Sequence, residues 1–488
     1  MNERNDLQTA LSGGGVSSIA KNTFYLLGGR WLTTLIQGAY VIVLARMLGP
    51  ELYGLYNYGL SWYMAFILFA TLGLAAVLSR EVGRDREGRS KVVDRTLLIR
   101  IFSSVFVALL SGGAGFFTEN EPRVRNLILV FSVALVGRSL AIWTKEVFNA
   151  YESNRYYLIQ QALFRPLEPA AGIVVLILGG NILAVALVHT LSWWLQALGG
   201  LAFIAKRIIL PRIQWSWPSH RHILSQGLVI CLVQFMIFWP PFGVVILFRF
   251  LGGTDFSLGQ LALLLGMFWF AFRIPESTSV AALPVLSRAA AAGSGRDRLF
   301  AETMLRINMI FGTVAGILGM GLGSWLTTAV FGTNYEQAGR LLGFAFLLLI
   351  PYGCGYSLYS VYLSQKHDRK ALIHATSGSA AFTLAMFLLV PRHGIPGALI
   401  SLAAGMSIWT GSMVVSMARR GRLDVFFSLV RPGAAVILGL VAYFAFQPLG
   451  IVPASFLALL VLLAGSILLG GLSAQEKDVI KSLTSISL

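Results

Sequence analysis

The sequence predicts an all-α polytopic membrane protein of about 14 transmembrane helices, and three observations carry that prediction. Hydrophobic residues fill 56% of the 488 positions and Asp, Glu, Lys and Arg only 12%, about half the roughly 25% charge of a soluble domain. The apolar residues come in repeated runs of about 20, long enough to cross ~30 Å of hydrocarbon as helices. The runs lack the short alternating pattern of barrel strands, and a backbone in lipid must satisfy its polar groups internally, which leaves helices. This composition excludes a soluble enzyme, a disordered scaffold and a secreted disulfide module. Cys231 and Cys354 both fall in apolar runs and read as inert buried thiols.

The apolar spans lie near 23–47, 53–79, 96–117, 126–150, 157–179, 182–205, 223–250, 258–283, 301–329, 337–364, 371–390, 396–418, 432–448 and 453–472. The first 20 residues are polar and Gly/Ser-rich, without the apolar core of a signal peptide, so the first span is expected to be its own insertion signal. The net charge of +17 is distributed unevenly. Alternate loops hold 26 of the 38 Lys and Arg residues, and the opposite loops hold three, Arg123, Arg125 and Arg392. Cytoplasmic loops collect cations, so both chain ends are expected to face the cytoplasm.

An internal repeat is visible. Ala45-Arg46-Met47-Leu48-Gly49 returns as Phe248-Arg249-Phe250-Leu251-Gly252, and Val77-Leu78-Ser79-Arg80 as Val285-Leu286-Ser287-Arg288, at offsets of 203 and 208. Gly179-Gly180-Asn181-Ile182-Leu183-Ala184 similarly corresponds to Gly394-Ile395-Pro396-Gly397-Ala398. Two copies of six helices run the same way through the membrane, so the expected pseudo-two-fold axis lies along the membrane normal. The expected organisation is an N-lobe over 1–218, a C-lobe over 219–425 and an appended helix pair over 426–488.

The run Val43-Leu44-Ala45-Arg46-Met47-Leu48-Gly49-Pro50-Glu51-Leu52-Tyr53-Gly54 resembles a helix junction of the Wzx-type oligosaccharide flippases. These are polysaccharide-transport members of the multidrug/oligosaccharidyl-lipid/polysaccharide exporter superfamily. Leu283-Pro284-Val285-Leu286-Ser287 is similar to the counterpart in the second repeat. The resemblance implies alternating access through a cationic central cavity, often coupled to an ion gradient. Its substrate would be a polyprenyl-pyrophosphate-linked oligosaccharide, moved to the outer leaflet for cell-surface polysaccharide biosynthesis. Membrane lipids and glycan polymerase or ligase machinery are the implied partners. The family carries no fixed catalytic motif, so the cavity cations must be argued from this sequence.

Nine basic residues lie within or at the ends of spans. Arg46, Arg249, Arg340 and Arg100 sit at helix ends, where snorkelling to headgroups is expected. Arg30, Arg138, Lys145, Arg165 and Arg273 are deeper, and a charge there costs on the order of 2.5–3.5 kcal/mol unless it meets water or a partner. Thr23, Arg30, Thr34 and Gln37 form a polar stripe at helical spacing, and Arg138, Lys145 and Asn149 repeat it, with Glu146 alongside. Arg30, Arg138 and Arg273 are expected to line a hydrated cleft; the alternative is structural pairing within the lobes. The planar fork of Arg suits phosphate oxygens, hence an anionic pyrophosphate headgroup.

Arg165–Glu168 and Arg273–Glu276 are i,i+3 pairs near Pro166, Pro169 and Pro275. They read as charge neutralisation beside a kink or, more sharply, as Glu168 or Glu276 acting in proton coupling. Pro240 and Pro241 in mid-span mark a hinge or a static bend. Gly312, Gly316, Gly319 and Gly323 read as a packing seam, and Tyr53, Tyr56, Tyr58, Trp62 and Tyr63 as an interfacial aromatic belt. No cofactor, metal-site or phosphate-loop motif and no nucleic-acid-binding feature is present in the sequence; His220 and His222 have unsuitable spacing. A multidrug antiporter is the first functional alternative, disfavoured because the deep cations outnumber the deep acids. A membrane glycan polymerase or ligase is the second, disfavoured by short external loops.

Overall fold

The computed structural model describes residues 14–75, 78, 82, 89–212, 217–291 and 296–469. Most of Val77–Arg80, the Ser12-Gly13 start of the glycine run, the cations Lys477 and Lys481, and the side chains of His220, His222, Pro284, Val285 and Arg288 lie outside that description. Among the described residues there is no strand, and eleven helices are long and apolar enough to cross a membrane. In order they run α1 (Gly14–Thr71), α2 (Arg89–Thr118), α3 (Pro122–Ala150), α4 (Asn154–Phe164), α5 (Leu167–Ile177), α6 (Ile182–Arg207) and α7 (Trp217–Phe250). There follow α8 (Asp255–Ala291), α9 (Arg296–Phe331), α10 (Glu336–Leu347), α11 (Leu349–Ser364), α12 (Asp368–Ala418), α13 (Arg431–Phe446) and α14 (Ile451–Leu468).

Glycine and proline set the breaks. In α1, Gly49 takes φ 69, ψ 173, so the long rod is two helices meeting at a corner. Only glycine enters that region at low cost, and Pro50 after it has its φ preset for a first helical turn. Gly252, the repeat equivalent of Gly49, also has positive φ, at 91. In α12, Gly394 (φ 55, ψ −128) divides the rod between the spans expected at 371–390 and 396–418. The span expected at 157–179 is interrupted at Arg165-Pro166, giving α4 and α5. Pro166 and Pro169 lack the N–H groups that would bond the carbonyls of Ala162 and Arg165.

Helix α7 passes continuously through Pro240 and Pro241. Pro240 leaves the Met236 carbonyl without its usual partner, and Ser379 of α12 donates its hydroxyl to that oxygen. One turn along, Trp239 Nε1 donates to Thr383 Oγ1 at 3.0 Å. The glycine seam of α9 packs as its spacing implies: a Cβ on Gly319 would lie 2.8 Å from Gly343 Cα, and one on Gly323 would lie 2.5 Å from the Gly339 oxygen. Both cysteines are buried free thiols.

The described chain clusters into two compact units. The first takes residues up to Val43 together with Trp62–Cys231, and the second takes Leu44–Ser61 with residues from Leu232 onward. The first has a core of Leu140, Trp143, Val147, Phe148, Tyr157, Ala197 and Ile204, drawn from α3, α4 and α6. In the second, α9 packs on α10, α11, α13 and α14.

Candidate functional site: a buried arginine–glutamate–histidine network

The Arg165-Pro166 break places Arg165 at the end of α4 and Glu168 in the first turn of α5, both turned inward and 2% exposed. Glu168 receives two partners through its two oxygens. Arg165 Nη1 lies 3.1 Å from Oε2, and His189 Nδ1 on α6 lies 2.7 Å from Oε1. The other ring nitrogen, His189 Nε2, is 3.1 Å from Trp193 Nε1 and 2.9 Å from Tyr63 Oη. An indole N–H only donates, so Nε2 accepts and the imidazole proton sits on Nδ1, donating to Glu168. Tyr63 Oη in turn accepts from Arg138 Nη1 at 2.5 Å.

A hydrogen-bonded chain therefore runs from Arg138 through Tyr63 and His189 to Glu168, with Arg165 closing its far end. Both guanidinium groups also lie over the Trp193 ring, Arg138 at 4.7 Å and Arg165 at 4.4 Å. Such cation–π contacts contribute about 0.5–2 kcal/mol each, more as water is excluded. Two arginines against one glutamate leave one positive charge in excess. That excess sits at Arg138, the half-buried member, whose Nε makes no hydrogen bond among the described residues.

Of the five cations expected to line a cleft, Arg138 and Arg165 converge on this network. Lys145, two turns along α3, instead places its ammonium 5.6 Å from the Tyr157 ring centre. Arg30 is half-buried in the first arm of α1, where neighbouring Thr33 bonds Gln161 of α4 at 3.0 Å. Arg273 and Glu276 pair at 2.8 Å in the second unit, with side chains 44% and 14% exposed.

The end-of-helix expectation for Arg100 is corrected. Arg100 does not snorkel: it is fully buried and pairs with Glu146 at 2.5 Å, because α2 packs along α3 and brings the two opposite each other. Glu146 thus pairs with Arg100. Arg46 donates to the backbone oxygens of Ala329 and Val330, and Arg249 pairs with Asp255 beneath Tyr58. Arg340 keeps the expected exposed position, paired with Glu336 at 2.7 Å. The tyrosine–tryptophan cluster is no interfacial belt: Tyr53, Tyr56, Tyr58, Trp62 and Tyr63 are all at most 9% exposed. The corner at Gly49 turns the second arm of α1 into the protein, so these rings pack inward. Among the described residues no three His, Cys, Asp or Glu side chains gather as a metal site.

Tyr63, His189 and Trp193 were not singled out as site residues from sequence. A signal existed, since His189 and Trp193 stand i,i+4 in an apolar span and a histidine in lipid needs a partner. Its partner Glu168 lies on another helix, beyond the reach of spacing.

An all-helical bundle with eleven membrane-length helices, kinked at glycines, and a charge network buried within it define a multi-pass membrane transporter fold. The comparisons agree. The structure superposes on the lipid II flippase MurJ in an inward closed conformation with a TM-score of 0.66 at 14% identity, covering 92% of this chain and 98% of that one. It superposes on an inward-facing multidrug resistance MATE family transporter of the MOP superfamily at 0.61 and 16% identity, covering 82% and 98%. A third match is a MOP superfamily transporter from Pyrococcus furiosus, described as having a binding pocket of reverse polarity, at 0.57 and 14% identity, covering 84% and 96%. No curated protein sequence matches. Residues 19–290 match the polysaccharide biosynthesis protein family, and the chain belongs to that family.

Proposed function

We propose that this protein is a flippase for a lipid-linked oligosaccharide. It carries a polyprenyl-pyrophosphate-bound glycan from the cytoplasmic to the outer leaflet of the bacterial inner membrane by alternating access. The observation that carries the reading is the excess positive charge at Arg138, held within the apolar bundle by Tyr63 and Trp193. A pyrophosphate must leave water to cross, and a permanently charged fork of donors held in place lowers that barrier without specifying a sugar. Arg165, bound to Glu168, acts behind Arg138 as its electrostatic support, while Arg30, Lys145 and Arg273 are further contacts along the path.

The proposed topology has fourteen passes with both termini cytoplasmic, counting α1 and α12 as two passes each, and α4–α5 and α10–α11 as one each. Its two six-helix lobes span 1–218 and 219–425, followed by the pair in 426–488. Glu168 and Glu276 are the proposed ion-coupling groups, and Pro240 and Pro241, with the Met236 carbonyl held by Ser379, are the proposed hinge. The fold shared with a MATE transporter supports multidrug antiport as the second reading. Against it, Glu168 is already engaged by Arg165 and His189, which leaves no free buried carboxylate in this network for a cationic drug.

The test is genetic and chemical. Deleting the gene should cause one lipid-linked saccharide to accumulate on the inner leaflet, identified by mass spectrometry and cleared by re-expression. Unchanged lipid-linked saccharides together with increased sensitivity to cationic drugs would favour the antiporter.

A further inference from the structure

The segment Leu44–Ser61 contains the junction motif, yet it clusters with the second unit, although the helical residues on either side of it belong to the first. Its contacts form a distinct set. Arg46 Nε and Nη2 reach the oxygens of Val330 and Ala329 at 2.6 and 2.5 Å. These are among the last four carbonyls of α9, which have no partner inside that helix, and the negative end of the helix dipole favours a cation there. Beside them Tyr335 Oη donates to the Ala45 oxygen at 3.0 Å, and Tyr53 meets Tyr335 edge-on at 6.2 Å.

On its other side the segment crosses α8 at a pair of glycines, and the crossing is reciprocal. A Cβ on Gly54 would lie 2.6 Å from the Asp255 oxygen, and one on Gly259 would lie 1.9 Å from the Pro50 oxygen. Asp255 and Gly259 follow Pro50 and Gly54 by the same 205 positions, between the two repeat offsets. Residue i of one repeat therefore touches j of the other while j touches i, which is the contact pattern of a two-fold axis. At the two glycines the crossing brings backbone against backbone.

From these contacts we infer that Arg46 is the gating residue of the transport cycle. Its guanidinium fastens the Gly49 corner to the end of α9, holding the Gly54–Gly259 crossing shut, and the crossing parts when that bond is released. Gly49 supplies the flexible corner and Arg46 the bond, which assigns a role to the motif that the substrate site leaves unused. The inference rests on the alternating access proposed above, but its readout needs no substrate.

The experiment uses the full chain in lipid nanodiscs, with Cys231 and Cys354 replaced by alanine and spin labels at exposed positions 47 and 325. Distances between the labels are measured by pulsed electron resonance. Arg46→Ala should raise the long-distance population at least about threefold. Gly259→Ala, which sets a methyl group against the Pro50 oxygen, should do the same, and Arg46→Lys, which keeps the charge and N–H donors but not the planar fork, should restore part of the short population. A wild-type distance distribution in Arg46→Ala, with the protein monodisperse and helical, would overturn the inference; should Gly259→Ala fail to fold, Arg46→Ala alone decides. A gate that opens on Arg46→Ala in a protein that moves no lipid-linked glycan would uphold the latch and refute the substrate reading.

Discussion

In the first unit Arg138, Arg165, Glu168 and His189 arrive from α3, the α4–α5 break and α6, and meet around Trp193 with three of the four almost fully buried. In the second unit Arg273 and Glu276 stand three residues apart on α8 and stay partly open. The first arrangement needs Glu168 opposite Arg165, because a charge stripped of its counter-ion inside a protein costs several kcal/mol. On the hydrated path proposed above, the second is a local pair that water screens, worth at most about 1 kcal/mol. Sequence position alone makes the two motifs look alike, since both are Arg-x-x-Glu beside a proline; the surroundings make one a scaffold and the other a contact.

The largest expected difference is in stability. Glu168→Ala should destabilise the first unit by about 3–5 kcal/mol by leaving Arg165 buried and unpaired, read as a lowered midpoint of thermal unfolding in detergent. Arg100→Met should do comparable damage through Glu146, and the double variant Arg100→Met/Glu146→Leu should recover most of the loss, because an apolar pair of similar volume replaces the ion pair. A double variant no better than the single would show that the pair contributes more than mutual neutralisation.

Transport should separate the units next. Arg138→Ala should slow flipping by about 100-fold, equivalent to ~2.7 kcal/mol, with little loss of stability because the residue is half-buried. Arg273→Ala should slow it by about tenfold or less and shift stability by under about 1 kcal/mol. Equal effects of the two on flipping in proteoliposomes would erase the contrast.

The smallest effect lies outside the membrane-spanning segments, at the turn before α12. Burial, followed by the nearby Lys370, Arg420 and Arg422, lowers the pKa of His367. The folded protein therefore binds fewer protons there than the unfolded chain does, so this contribution is complete above the ordinary histidine range and is lost as pH falls through it. Arg420→Ala/Arg422→Ala should move the His367 titration upward, visible in the imidazole resonances. No upward movement would mean that burial and Lys370 set it.

Much of the fold was legible in the sequence because lipid enforces simple rules: long apolar runs must be helices, and Gly49 and Gly394 fall where those runs had to be divided. The Gly319–Gly323 seam was legible for the same reason. Pairings across helices were not. Arg100–Glu146 spans 46 positions and His189–Glu168 spans 21, distances at which spacing carries no information, and so Arg100 reads as a headgroup anchor. The tyrosines of α1 misled in the opposite sense: aromatic residues near a span end suit an interface, and only the corner at Gly49 reveals that they turn inward.

The central claim is that an anionic lipid headgroup is received at Arg138, and binding tests it most directly. The purified protein in nanodiscs should be stabilised against thermal unfolding by a polyprenyl pyrophosphate, in the wild type and in Arg273→Gln, while Arg138→Gln should lose at least about tenfold in affinity, equivalent to ~1.4 kcal/mol. Equal stabilisation of wild type and Arg138→Gln would contradict the account.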